Sequence, residues 1–171
     1  FLVDKKTYEI LDIVSSTVDV ESFDIADNKI VFSGVDFDSF KGKYSHIWEY
    51  DHNTRTTTKI YDDIMQIYRC FYLHDKIMVL GTFAKEYGAM EAGKFYTLNN
   101  GQMELVIDNE YSMYNSVGSD CRYGHGKNFA KDDNGDAYFI TSANEGSIVV
   151  KIEDNKLKTV VDYNGSCDDM A

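Results

Sequence analysis

The feature that most constrains this chain is a paragraph of sequence that recurs. Between Phe129 and Asp162, FAKDDNGDAYFITSANEGSIVVKIEDNKLKTVVD, four short apolar runs are separated by Asp-Asp-Asn-Gly, Ala-Asn-Glu-Gly and Glu-Asp-Asn. Short apolar runs bounded this way read as strands joined by turns. Gly, Asn and Asp reach positive φ, and Asx side chains bond their own backbone. The same order appears upstream as FDIADNKIVFSG, HIWEYD and TKIYD, and again as FYLHDKIMVLG, GKFYTL and MELVID. With the strands of one unit called a to d, strand d always ends in two apolar residues and an aspartate. Those endings are Ile10-Leu11-Asp12, Ile60-Tyr61-Asp62, Val106-Ile107-Asp108 and Val160-Val161-Asp162. Strand a opens with Phe23, Phe71 and Phe129, and FLVDKKTYEILDIV at the start supplies only the c–d half of a unit. No long window holds a 3.6-residue period with caps, so the chain reads as all-β.

Composition agrees with that reading. There is no proline among 171 residues, so Gly, Asn and Asp must make every turn. With 13 Tyr and 10 Phe the chain is rich in side chains that fit a pleated surface. Its length suits one ordinary core. The formal charge of −12, with no basic stripe, excludes a nucleic-acid phosphate backbone as partner. No run of 18 apolar residues occurs, so no membrane insertion through a helix is expected. Cys70, Cys121 and Cys167 lack CxxC or zinc spacing, which leaves their redox state open. No cofactor is expected.

Four-stranded antiparallel units at this spacing point to a radial array, since each sheet buries its faces only against neighbours. The units resemble β-propeller blades, and the hairpin IWEYDHNTRTTTKIYD is similar to the aspartate–threonine hairpin common in bacterial propellers. The Trp-Asp and Gly-His signatures of WD40 blades and the Gly-Gly pair of kelch blades are absent, so the resemblance is to the superfamily. It implies about three and a half blades in one region: a half blade over 1–14, blades near 15–63, 64–110 and 111–163, and a tail over 164–171. Such a count fits a piece of a longer chain, two copies that self-associate to complete a ring, or an irregular sandwich; the piece is favoured. The resemblance also implies an extracellular or cell-surface setting.

Loop lengths carry the functional expectation. The a–b and c–d turns are tight, whereas Gly34–Ser45, Gly81–Gly93 and Asn109–Gly126 are long. In an up-and-down sheet the b–c and d–a loops leave the same edge, so one face gathers the length variation, and binding residues gather on such loops. The richest offers Tyr111, Tyr114 and Tyr123 as stacking surfaces and Asp120, Arg122 and His125 as polar groups. Asp36, Asp38 and Tyr44 come from the first long loop. Aromatic platforms beside hydrogen-bonding groups suit a glycan, a peptide or a protein. Asp132-Asp133-Asn134-Gly135-Asp136 has a D-x-N-x-D core but lacks the distal bidentate Glu of a calcium loop, so it reads as a structural turn and no metal site is expected. No nucleophile motif occurs, and no catalytic residue is assigned. The expectation is a non-catalytic binding or scaffold module; the alternative is a carbohydrate hydrolase or lyase on the same face, drawing on His125, Tyr123 and Asp120.

Overall fold

The structure, a computed structural model, describes residues 2–4, 6–12, 18–36, 46–63, 65–83, 94–108, 129–143 and 146–163. Fourteen strands and no helix occur among them. A two-stranded sheet pairs β1 (Leu2–Val3) with β2 (Ile10–Asp12). The first four-stranded sheet holds β3 (Val18–Ala26), β4 (Lys29–Asp36), β5 (His46–Asp51) and β6 (Thr56–Tyr61). The middle sheet holds β7 (Met65–Leu73), β8 (Lys76–Phe83), β9 (Lys94–Asn99) and β10 (Gln102–Ile107). The last holds β11 (Phe129–Lys131), β12 (Ala137–Ala143), β13 (Gly146–Glu153) and β14 (Lys156–Tyr163). In all three, every strand pairs antiparallel with its sequence neighbour.

The turns explain why the chain reverses where it does. Asn100 and Gly101, and Asp154 and Asn155, occupy positive φ at both central positions, the backbone that matches strand twist in a two-residue hairpin. The β5–β6 turn works differently. Asp51 Oδ1 accepts the N–H groups of Asn53 and Thr54, and Arg55 then takes a φ of 56°. The β1–β2 turn repeats this device: Asp4 Oδ1 accepts the N–H groups of Lys6 and Thr7, and Tyr8 takes a φ of 59°. By its turn chemistry, β1–β2 is therefore an outer, c–d type pair.

The recurring apolar-apolar-Asp ending marks a β-bulge. Ile47 pairs with Tyr61 but Trp48 with Lys59, which leaves Ile60 as the extra residue. Val106 and Val160 are extra in the same way, and Leu11 is extra in β2. A bulge raises local twist and resets which face the following residues take. Tyr61 and Ile107 are thereby turned inward and buried.

Bulges also correct the phenylalanine pattern. Glu21 is extra in β3 and Tyr68 in β7. By pairing, Phe23 stands opposite Phe32 and Phe129 opposite Phe139, but the residue at that position in the middle sheet is Cys70, opposite Val79. Phe71 is one residue later and so faces the other way. Nor do the phenylalanines open their strands in the first two sheets, since β3 begins at Val18 and β7 at Met65.

The sheets stack through two cores. Val31, Ile47 and Tyr61 of the first sheet meet Ile67, Cys70, Tyr72, Val79 and Tyr96 on one face of the middle sheet. The other face presents Phe71, Met78, Leu80 and Phe95 to Phe139, Ile148, Val150 and Ile152 of the last sheet. Phe139 lies at the centre, with ring centroids 5.6 Å from Phe71, 5.2 Å from Phe95 and 5.1 Å from Phe129.

Polar groups join the same interfaces. Ser22 Oγ lies 2.6 Å from Ser33 Oγ and accepts the Cys70 N–H at 3.1 Å. Burial pushes the Cys70 thiol up to about 12, although contacts with Ser22 and Ser33 oppose it. The folded value lies above the model value of 9.0, so the protonated thiol favours the folded state. That contribution is fully present below pH 9 and is lost as pH rises from about 9 to 12. In a Cys121→Ser/Cys167→Ser background, Cys70 is therefore expected to resist a thiol reagent at pH 8 until denaturant is added. Rapid labelling of the native protein would contradict the buried geometry.

Candidate functional site

The strand ends define the edge on which the long connections lie. β4 ends at Asp36 and β5 starts at His46; β8 ends at Phe83 and β9 starts at Lys94; β10 ends at Ile107 and β11 starts at Phe129. Because each sheet runs up and down in sequence order, all three gaps open on one edge. The corresponding gap in the last sheet, between Ala143 and Gly146, is short. Of the expected site residues, Asp36 is the last residue of β4, its backbone paired with Val18. Asp38, Tyr44, Tyr111, Tyr114, Asp120, Arg122, Tyr123 and His125 lie outside the described residues.

At the rim of this edge, the terminal aspartates of the outer strands meet cations at the start of strand c. His46 Nδ1 lies 2.9 Å from Asp62 Oδ1, and Lys94 Nζ lies 3.7 Å from Asp108 Oδ1. His46 also stands edge-on to Trp48, which stacks on Phe32 at 5.7 Å and carries Lys59 Nζ over its ring. Trp48 is buried, in keeping with a packing role. The aspartates are exposed, so these pairs contribute little to stability. The His46–Asp62 pair sits on β5 and β6, the outer strands of its sheet, away from β3, β7 and β11.

The inner strands carry a staple that sequence reading missed. Asp24 Oδ2 on β3 accepts the Tyr72 N–H of β7 at 2.8 Å and Lys131 Nζ of β11 at 2.7 Å. One carboxylate thus ties all three sheets. A charge pair so far apart in sequence has no local signal.

The opposite, tight-turn edge holds a cleft of about 350 Å³ between the first and middle sheets, lined in part by Asp27, Lys29, Glu49, Tyr72, His74 and Asp75. Glu49 accepts bonds from Lys29 Nζ at 2.7 Å and from the Tyr72 hydroxyl at 3.1 Å. Burial, with Glu49's charge next, raises the Tyr72 phenol above its ordinary value. Glu49 and Asp51 are thus engaged in packing and turn bonds. Asp132 is engaged too: Oδ1 accepts the N–H groups of Asn134 and Asp136, and Oδ2 accepts the Tyr138 hydroxyl. Desolvation works against its ionisation, but the bonds from Asp136, Tyr138 and Asn134 outweigh it and hold the carboxyl below its usual value. Among the described residues, no cluster of three His, Cys, Asp or Glu is placed to hold a metal ion.

No protein-family model and no curated protein matches the chain. Among solved structures, it is similar to Pyrococcus horikoshii acylaminoacyl peptidase, with a TM-score of 0.55 and 16% identity over 94% of this chain. This chain spans 23% of that protein's length. A likeness at this identity bears on the fold alone: three four-stranded antiparallel sheets in an open, all-β, propeller-like arrangement.

Proposed function

We propose that the chain is a non-catalytic binding or scaffold module that recognises a glycan, a peptide or a protein through the connections 37–45, 84–93 and 109–128. The observation supporting this reading is that the three long connections leave one edge of stacked, rigid sheets, whereas the other edge is closed by tight turns. Rigid scaffolds with long loops on one side position contact residues without ordering the scaffold again on binding. The His46–Asp62 pair does not favour a hydrolase or lyase. It lies on outer strands and is turned against Trp48.

The test is a screen of glycan and peptide arrays, followed by titration of the strongest ligand. Tyr123→Ala and Arg122→Ala are each expected to weaken binding about tenfold, as loss of one anchor of roughly 1–2 kcal/mol requires. Melting temperatures should stay within a degree or two. Unchanged affinity in both variants would assign recognition elsewhere.

A further inference from the structure

The chain covers one kind of sheet face twice and leaves its third copy bare. On the middle sheet, Ile67, Cys70 and Tyr72 pair with Gly81, Val79 and Ile77, and all three are at most 7% exposed beneath the first sheet. At the matching positions of the first sheet, Val20, Phe23 and Ile25 pair with Gly34, Phe32 and Ile30, yet they are 44%, 59% and 44% exposed. Ser22 and Asp24 point to the middle sheet, so Phe23 and Ile25, alternating with them, lie on the far face. The last sheet makes the comparison closest, because it has the same cross-strand pair, Phe129 opposite Phe139. There Phe71 of β7 lies 4.9 Å from Phe129 and 5.6 Å from Phe139.

The exposure is confined to the inner strand. Phe32, Trp48 and Tyr50, on the same face of β4 and β5, are buried. What is uncovered is therefore the width of an inner ribbon, a strand pair a and b, and not a whole sheet. β1–β2 fits this account, since it is a two-stranded sheet built with the outer turn of β5–β6.

We propose that the β3 stripe of Val20, Phe23 and Ile25 is a docking site for a two-stranded antiparallel ribbon from another polypeptide. Its alternate residues are apolar, and it lies on Phe23 as β7–β8 lies on Phe129. Such a ribbon adds main-chain pairing at a sheet edge and sets its alternate side chains against the stripe, which is strand addition of the usual kind. This site is independent of the long-loop edge.

The test uses a fluorescein-labelled synthetic peptide of residues 65–83, the chain's own β7–β8 ribbon, titrated into the full chain and followed by anisotropy. Saturable binding is expected, weakened more than tenfold by Phe23→Asp. Leu105→Asp, which alters an exposed apolar residue on β10 instead, should leave it unchanged. Circular dichroism of both variants should match the parent, because neither side chain is in a core. Absence of binding, or equal loss in both variants, overturns the proposal. So does a dimer, seen by light scattering, that Phe23→Asp dissociates, since a second copy would then be the occupant.

Discussion

Phe139→Ala is expected to destabilise the protein by about 3–5 kcal/mol, close to the whole stability of many domains. The side chain is fully buried and meets Phe71, Phe95 and Phe129, which come from two different sheets. Removing the ring loses its transfer free energy and leaves a cavity whose walls are themselves rigid aromatics, so collapse around it is poor. Urea denaturation followed by Trp48 fluorescence measures the effect, and the midpoint should fall sharply while the first-to-middle interface keeps its packing. A loss under 1 kcal/mol would mean that the interface between the middle and last sheets is looser than described. Phe139→Leu, which keeps most of the volume, should recover more than half of the loss.

The second large effect concerns Asp24. Asp24→Ala leaves Lys131 Nζ and the Tyr72 N–H without this acceptor, in surroundings where both side chains of the ion pair are only about one-fifth exposed. A cost of about 2–3 kcal/mol is expected, since hydrogen bonds to charged groups exceed neutral ones and an uncompensated charge remains. Lys131→Met in the same background should restore part of it, because the second change removes the stranded charge. A double-mutant cycle on thermal or urea melts gives the coupling. Strict additivity would show that the two side chains do not act together.

The units of the fold were legible because turn chemistry is local. Asn100-Gly101 and Asp154-Asn155 announce their hairpins in two residues, and the alternation in HIWEYD or GSIVVKIE shows which residues share a face. The repeating apolar-apolar-Asp ending was visible, but its meaning was not. It marks an extra residue in one strand, and that can be recognised only when the partner strand's register is known. The slip between Phe23 and Phe71 has the same origin. A bulge at Tyr68 changes parity, so aligning phenylalanine with phenylalanine placed two residues on one face when they lie on opposite ones. Asp24 with Lys131 was out of reach altogether, because stacking order, not sequence distance, brings those strands together. At the candidate site the sequence showed which connections are long and which edge they share. Tyr111 to His125 lie outside the described residues, so their joint geometry rests on the binding experiment.

Each sheet in this chain is built from consecutive strands, and its stability beyond its own hairpins comes from the neighbour on either side. Energetically this is a short one-dimensional lattice. The middle sheet has two coupling terms, the sheets flanking it have fewer, and β1–β2 is a fringe. Cooperativity in such a lattice is a property of the interfaces and not of the units. Weakening the contact at Phe139 would divide the chain into segments that melt separately, whereas strengthening it would merge them into one transition. Asp24 is the exception, a next-nearest-neighbour coupling that links the first sheet to the last and damps that division.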